Sequence, residues 1–301
     1  MVRSRARREV EWPTLIALIG VYLAWGSVLW LYPYFGAWVI IPGALATAFH
    51  SSLQHEVLHG HPTRNASVNE ALVFLPLGCF FPFRRFKATH LSHHNDDRLT
   101  DPYDDPETHY VAEGDWDALS PLLRWILSLN QSLAGRLLIG PFLAIYGFVR
   151  SDLRRLRAGE GKIADAWIRH LIGLAPVILI IEASGMPIWL YLLGIAVPAV
   201  SILSLRTYIE HRAAAAPGAR SAVIESNWFW SLLFLNNNLH KVHHEKPSVA
   251  WYKLPALWQA ERDRVLSENE GYYYRGYRDV VRVWLFRARE PNIHPIMRRR
   301  S

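Results

Sequence analysis

Histidines in this sequence fall into short groups whose spacing suits metal binding. Residues three and four positions apart lie on one face of a helix, so such a group presents its imidazoles together. A lone histidine is usually structural, whereas three matched groups in one chain favour metal ligation. The groups are His55 and His59 in "HEVLH", His90, His93 and His94 in "HLSHH", and His240, His243 and His244 in "HKVHH".

The number and type of donors constrain the metal. "HEVLH" matches the HExxH pattern of zinc proteases, in which Glu56 would be the general base. A catalytic zinc takes three protein ligands and one water, so eight imidazoles exceed what one such ion needs. The single cysteine, Cys79, excludes a thiolate cluster, and imidazole suits iron, zinc, copper or nickel. Two metals in a histidine-dominated shell fit the count better, and neutral imidazoles with open positions suit oxygen-activating iron.

Long uncharged runs indicate the elements that must position these histidines. The sequence has no Asp, Glu, Lys or Arg between Glu11 and Glu56, which is enough for two membrane-spanning helices. We expect these at about 14–34 and 37–58, with a turn in "YPYFG". A second pair is expected at about 166–182 and 185–206, with a turn in "EASGMP". The predicted fold class is therefore an all-α integral membrane protein with four transmembrane helices in two hairpins.

The distribution of positive charge predicts the orientation. None of the 33 Lys and Arg lies between 12 and 55 or between 170 and 205, so both hairpin turns lack positive charge. The positive-inside rule then places both termini and the middle segment in the cytoplasm, and we expect a bacterial inner membrane. The same bias accounts for the sequence pI near 9.6 without nucleic-acid binding. The basic start "MVRSRARRE" precedes an apolar run that is too long for a cleaved signal peptide.

The remaining segments predict a cytosolic helical cap that carries the histidine groups, within a single domain covering 1–301. Counted along the second predicted helix, His55 emerges near the inner face of the hydrocarbon layer, where the three groups can meet. The apolar stretches 71–83 and 137–149 are too short to cross and suit re-entrant or interfacial helices that could line an access groove. "NDDRLTDPYDDPE" after the second group is acidic and contains proline, which is typical of a loop.

The order H-x3-H, H-x2-HH, two-span hairpin, H-x2-HH resembles the membrane fatty acid desaturase and hydroxylase superfamily over about residues 15–250. The resemblance implies a di-iron centre at the cytosolic ends of four helices, which uses O2 and two electrons to attack an unactivated C–H bond of a lipid chain. It also implies a ninth histidine shortly after the fourth span, and "LRTYIEHR" supplies His211. The implied ligands are His55, His59, His90, His93, His94, His211, His240, His243 and His244.

Further residues are candidates for supporting roles around these ligands. Carboxylates that accept the second N–H of a ligating imidazole fix its tautomer, and the acidic loop offers Asp96, Asp97, Asp101 and Asp105, although a solvated loop is an equal alternative. Asn236 precedes His240 by four residues and could hydrogen-bond near the metals, and His61 is a second supporting candidate. Many acyl desaturases have Asp where this chain has Glu56. The other histidines are expected to be packed or at the surface: His50, His109, His170 and His294.

The reaction requires partners that the sequence does not supply. No H-P-G-G haem motif is present, so we expect a separate electron donor such as a ferredoxin, besides a membrane lipid as substrate. Acidic donors could dock on basic stretches such as "FRRFK", at Arg84, Arg85 and Lys87, or "YYYRGYRDVVRVWLFRAR". Membrane orientation and anionic headgroups would also favour basic residues there.

These observations lead to one expected function and several alternatives. The expected function is O2-dependent desaturation of a long-chain acyl group in the membrane. A hydroxylase of a lipid, alkane or carotenoid on the same scaffold is the first alternative, because both reactions begin by removing a hydrogen atom from the chain. A membrane zinc protease and a non-catalytic metal-binding membrane protein stay open as further alternatives.

Overall fold

The computed structural model describes residues 10–94 and 96–297, apart from the side chain of Asp96. The basic start of the chain therefore lies outside the described residues. Within the described residues, two short parallel strands, β1 (Val223–Ile224) and β2 (Tyr273–Tyr274), form a sheet, and most of the other residues are helical. The helices in chain order are α1 (Trp12–Phe35), α2 (Ile40–Leu58), α3 (Ala66–Leu72), α4 (Phe83–His93), α5 (Glu113–Ala118), α6 (Pro121–Leu129), α7 (Leu133–Leu138), α8 (Gly140–Arg157), α9 (Gly161–Ala183), α10 (Ile188–Tyr191), α11 (Val197–Glu210), α12 (Trp228–Leu233), α13 (His240–Glu245), α14 (Leu254–Glu268) and α15 (Tyr277–Trp284).

Among the described residues, three helical stretches are long and apolar enough to cross a membrane: Trp12–Leu58, Gly161–Ala183 and Ile188–Glu210. The first covers 47 residues, and Gly36 divides it, with a 3-10 turn to Val39 between α1 and α2. Gly36 has a φ of 53°, a conformation that glycine adopts without the steric cost of a Cβ atom. This break falls in "YPYFG", and α1 packs against α2 beyond it.

The second pair of apolar helices is also divided at a glycine. α9 ends at Ala183, Gly185 has a φ of 76°, and α10 begins at Ile188, so the break falls within "EASGMP". A π-helical segment, Leu192–Ala196, joins α10 to α11 without interrupting the stretch. The predicted bounds 166–182 and 185–206 are shorter than the observed helices, because α9 extends back to Gly161 and α11 continues to Glu210.

The two short apolar stretches differ from each other in structure. Residues 73–82 of the first contain no helix, so the predicted helix over 71–83 is wrong beyond α3. Leu77 in this segment is fully buried, and its carbonyl accepts a hydrogen bond from the Tyr191 hydroxyl at 2.8 Å, which itself accepts one from Trp25 Nε1. Irregular backbone among apolar helices is tolerated where protein satisfies its polar groups. The second stretch, 137–149, is helical as part of α7 and α8.

The histidine groups lie where helices end, at one end of the apolar bundle. His55 is in the last turn of α2 and His59 follows it, while α4 carries the second group and α11 ends immediately before His211. The third group begins α13, which is attached to the β1 region by a hydrogen bond from the Lys241 amide to the Ala222 carbonyl. Four separate chain segments therefore converge on one region.

Candidate metal centre

Five histidines at the ends of α2 and α4 and in α13 each bring one ring nitrogen to a common point. The Nε2 atoms of His55 and His94 each lie 2.9 Å from Nε2 of His90, and Nε2 of His243 lies 3.2 Å from that of His94. Within the described part of the chain, the buried Nε2 of His59 has no hydrogen-bond partner. One ligand atom from each of the five lies within 4.8 Å of all the others, so this group is able to hold a metal ion.

Four further histidines form a second group of the same kind. Nε2 of His211 lies 2.9 Å from Nε2 of His93 and 2.9 Å from Nε2 of His240. The ring of His244 stacks on that of His94 in the first group, with the ring centroids 4.2 Å apart. The two groups are therefore adjacent, and their members are together the nine histidines predicted as ligands: His55, His59, His90, His94 and His243 in the first, and His93, His211, His240 and His244 in the second.

Each H-x2-HH box divides its histidines between the two groups. His90 and His94 belong to the first group and His93 to the second, whereas His240 and His244 belong to the second and His243 to the first. Successive residues of a helix are turned by about 100°, so positions i+3 and i+4 lie on opposite sides of position i. The spacing i, i+3, i+4 thus lets one helix end contribute to two neighbouring metal positions.

Several of the imidazoles are held in the neutral form that binds metal. Burial lowers the pKa of His211, His240 and His243 well below the usual value for histidine, and neighbouring imidazoles lower it further. The same two causes lower the pKa of His59 and His94 to about 2. Neutral imidazole is the form that ligates metals.

Metal ions fit the space between these nitrogens. Nδ1 of His90 lies 3.1 Å from a carboxylate oxygen of Glu107, so a neutral His90 carries its proton there and presents a lone pair at Nε2. Two other Nε2 atoms lie 2.9 Å away, and at most one of them can donate a hydrogen bond to that lone pair, so a cation between the three nitrogens satisfies them better. Metal–nitrogen bonds of about 2.1 Å at right angles put neighbouring nitrogens about 3.0 Å apart, which agrees with these distances.

Side chains behind the imidazoles hold their outer nitrogens. Nδ1 of His93 lies 2.8 Å from Asp105, one of the loop carboxylates proposed from the sequence. Nδ1 of His240 lies 3.1 Å from the Asn237 amide oxygen and 3.2 Å from Glu210, and the Ser221 hydroxyl lies 3.3 Å from Nδ1 of His211. Such contacts orient the rings and raise their basicity as ligands.

Carboxylates also set the charge at this edge of the centre. Burial alone would lower the pKa of His93, but Glu107 and Asp105 raise it to about 9. Burial likewise opposes ionisation of Glu107, yet His90 and His93 hold the pKa of that carboxyl well below its usual range. The sequence prediction missed Glu107, Glu210 and Asn237. All three stood beside or near residues already chosen, since Glu210 directly precedes His211, Asn237 directly follows Asn236 and Glu107 ends the acidic loop.

The other candidates of the acidic loop and Asn236 lie elsewhere. Asp101 accepts hydrogen bonds from the Tyr103 and Asp104 amides and so shapes the loop, and Asp97 is exposed. The side chain of Asp96 lies outside the described residues. The Asn236 amide group donates to the Trp251 carbonyl at 3.1 Å instead of approaching the histidines, because residues 236–239 are not helical and Asn236 has a φ of 54°. Its neighbour Asn237 occupies the position that was predicted for Asn236.

The remaining five histidines lie outside both groups. Nδ1 of His61 lies 2.7 Å from Glu11, and its Nε2 lies 3.8 Å from Glu56, so it belongs to a separate polar cluster at the start of α1. The other four pack against aromatic rings or bond to polar groups. His50 contacts the Tyr22 hydroxyl, His109 the Tyr110 ring, His170 the Cys79 carbonyl and His294 the Thr100 hydroxyl.

The glutamate of "HEVLH" is committed to a structural contact. Glu56 is buried, and its carboxylate accepts a hydrogen bond from the Trp251 amide at 3.0 Å. The general base of a zinc protease must face the metal-bound water. Glu56 instead ties the end of α2 to the segment that follows α13.

The basic stretch "FRRFK" is largely occupied by ion pairs. Arg85 is buried and forms a bidentate ion pair with Asp152, and Trp167 Nε1 donates to the same carboxylate at 2.9 Å. Arg84 pairs with Glu70 and Asp165. Arg85 therefore joins α4 to α8 and α9, and the prediction that it docks an electron donor is wrong because the guanidinium does not reach the surface.

Comparison with protein families agrees with this arrangement of the histidines. The family model for fatty acid desaturase matches residues 33–277, which is most of the chain and includes all nine histidines of the two groups. A search of curated proteins finds no match. Members of this family are typically oxidoreductases that use metal and act on lipids. With its histidine boxes arranged as two groups able to hold metal, the chain belongs to the fatty acid desaturase family.

Proposed function

We propose that this protein is an O2-dependent di-iron oxidoreductase that desaturates a long-chain acyl group of a membrane lipid. The convergence of nine histidines into one group of five and one of four carries the proposal. Two adjacent metal positions with neutral imidazole ligands and no thiolate suit iron that activates O2. The nine proposed ligands are His55, His59, His90, His93, His94, His211, His240, His243 and His244.

We further propose that α1, α2, α9 and the stretch α10–α11 are four membrane crossings. The glycine breaks at Gly36 and Gly185 and the contacts between α1 and α2 support two hairpins. The positive-inside rule then supports an inner-membrane location with the centre on the cytoplasmic side. A substrate taken from the bilayer agrees with a centre at the ends of the apolar helices.

The bound irons would supply the oxidising power for C–H cleavage, and the chain supplies the geometry. Glu107, Asp105 and Glu210 lie beside the outer nitrogens of three proposed ligands and fix which nitrogen faces inward. The buried third box limits access of water to the second group. These features keep the imidazoles preorganised, which reduces the reorganisation that the reaction requires.

Hydroxylation on the same scaffold is the second candidate. It shares the first hydrogen removal with desaturation, and the two reactions differ only in small displacements of the resulting carbon radical within the site. The engagement of Glu56 with the Trp251 amide favours desaturation and hydroxylation over a zinc protease.

Each turnover also needs two electrons, so the proposal includes a separate redox protein as donor.

Metal analysis and lipid mass spectrometry test the proposal together. Purified protein should contain two irons per chain, and cells that express it should contain lipids that have lost two hydrogen atoms, or gained one oxygen atom if it hydroxylates. A double variant with one change in each group, His240→Ala/His243→Ala, should lose both iron and product. His109→Ala, outside both groups, is the matched control. One zinc per chain that persists in the double variant, with no change in lipid mass, would refute the assignment.

A further inference from the structure

Helix α6 has an apolar face that the described chain does not cover. Leu122, Trp125 and Leu129 are 64%, 60% and 38% exposed, and their spacing of three and four puts them on one face. None of the nine residues of α6 is buried. An amphipathic helix gains its stability by burying the apolar face, so this face requires a partner.

A second exposed apolar surface adjoins it at the end of α15. Val283 and Phe286 are 45% and 85% exposed. Hydrogen bonds from the Ala134 amide to the Leu285 carbonyl, and from Asn292 to the Ser128 hydroxyl, hold this end of the chain beside α6 and α7. The two surfaces therefore belong to one region of the molecule.

The attachment of this region to α11 gives its depth relative to the bilayer. The Tyr208 hydroxyl donates to the Gln131 carbonyl, in the turn between α6 and α7, at 2.8 Å. With a rise of 1.5 Å per residue, Tyr208 lies about 30 Å along the helix from Ile188. The hydrocarbon layer is about 30 Å thick, so the end of α6 lies at the boundary opposite the α9–α10 turn.

The charges beside the apolar surfaces suit phospholipid headgroups. Arg282 and Arg287 are exposed on α15 and just beyond it, and the Arg287 guanidinium lies 5.6 Å from the Trp284 ring centre. Arg124 lies on the other side of α6 from Leu122, Trp125 and Leu129, and its guanidinium donates to the Leu119 and Asp117 carbonyls. Exposed Asp115 and Asp117 precede α6, so the positive charges of this region are partly offset. The depth of α6 and its apolar face therefore favour contact with the bilayer more than net charge does.

We propose that α6 and the end of α15 lie in the interface of the phospholipid bilayer, with their apolar side chains below the headgroups. The inference rests on the membrane location in the proposed function and adds a lipid-binding surface that does not cross the bilayer. Interfacial helices of this kind bury their apolar face about 5–10 Å into the headgroup boundary. A bilayer surface is favoured over a protein partner because the region is continuous with a membrane-spanning stretch.

Site-directed fluorescence in lipid tests this placement. Single cysteines at Leu122→Cys and Phe286→Cys receive an environment-sensitive probe, and the full chain is reconstituted in phosphatidylcholine–phosphatidylglycerol bilayers. The native Cys79 is buried, which raises its pKa to about 12 and makes it unreactive, so the unmodified protein is the labelling blank. Ile172→Cys in α9 reports the hydrocarbon layer, and Ser267→Cys in α14 reports water.

Quenching by shallow spin-labelled lipids should be strong at both test positions and should exceed quenching by aqueous iodide. Trp125→Glu should abolish the lipid quenching at position 122, whereas Ala118→Glu, at the exposed end of α5, should preserve it. If iodide quenches the probes at positions 122 and 286 as strongly as the probe at position 267, the inference is overturned. Lipid quenching at position 172 would in that case still support the membrane crossings. Protection from both quenchers would overturn it in favour of a second copy of the chain, and loss of lipid quenching at 172 would instead refute the membrane location.

Discussion

The carboxylate of Glu107 lies behind His90, on the side away from the converging Nε2 atoms. Its oxygens are 3.1 and 3.3 Å from Nδ1 of His90, and one is 3.9 Å from Nε2 of His93. One side chain thus contacts proposed ligands of both groups. A negative charge at this point strengthens the imidazole as a ligand and helps to neutralise two dications held by uncharged donors.

Replacing Glu107 with Gln should therefore lower iron affinity or turnover by about 10- to 100-fold, the usual effect of losing such a contact. The amide keeps the size of the side chain, so the helical content should not change. Iron titration and product formation measure the effect, and Asp97→Asn in the exposed part of the same loop is the control. Equal iron affinity and turnover in Glu107→Gln and the unmodified protein would contradict this role.

Glu56 provides a second test at the residue scale, because its role differs between the candidate functions. Glu56→Gln retains an oxygen that can accept the Trp251 N–H, so iron content and lipid oxidation should persist. Glu56→Ala leaves that N–H without its acceptor and should lower the free energy of unfolding by about 1–3 kcal/mol. Iron analysis and thermal unfolding distinguish the two variants. A Glu56→Gln protein with full iron but no activity would point to a general base instead.

At the scale of elements, the ion pair between Arg85 and Asp152 fixes α4 against α8. The two side chains are 6% and 1% exposed, and Asp152 also accepts from Trp167 of α9. His90 lies five residues beyond Arg85 on α4, so the pair controls the position of the second histidine box. The strength of this joint comes from its burial, where an unpaired charge is costly.

Asp152→Ala should lower the free energy of unfolding by about 3–5 kcal/mol, since it leaves the Arg85 guanidinium buried without a counter-charge. Iron content should fall with it as α4 shifts. The control is Arg84→Gln on the same helix, whose partly exposed ion pairs are screened by solvent and should contribute far less. Thermal unfolding and iron per chain are measured for both. Similar losses in the two variants would contradict the importance of the buried pair.

Hydropathy and histidine spacing predicted the elements that carry the centre, but not the contacts around it. The glycine breaks fall in the predicted turns, and eight of the nine histidines lie in groups of helical spacing, because both features depend on local sequence. His211 was implied only by the family resemblance. Asn236 failed as a prediction because its left-handed φ ends the helical register that had placed it above His240. Arg85 failed because a basic run gives no indication that Asp152, far along the chain, buries one of its members.

At the scale of the whole molecule, the centre couples protons, metal and folding. An unfolded histidine has a pKa near 6.5. In the folded chain burial holds the pKa of His211, His240, His243 and His244 well below that value. The unfolded state then binds more protons below about pH 6.5, so each group destabilises the metal-free fold by about 1.4 kcal/mol per pH unit on acidification. His93 acts in the opposite sense, since its pKa is raised to about 9.

The metal-free protein should therefore show a steep fall in its unfolding temperature between about pH 6.5 and 5, because several buried imidazoles have a lowered pKa, whereas the contribution of His93 changes only between about pH 6.5 and 9. Iron binds only the folded, deprotonated site, so loading should raise the unfolding temperature and move the acid transition to lower pH. Tryptophan fluorescence during heating, at pH 5 to 8 with and without iron, measures both effects. The control for ionic strength is the unmodified chain with calcium added in place of iron, because calcium binds imidazole poorly. An unfolding temperature of the metal-free chain that stays constant from pH 8 to 5 would mean that these imidazoles are not held neutral by the fold.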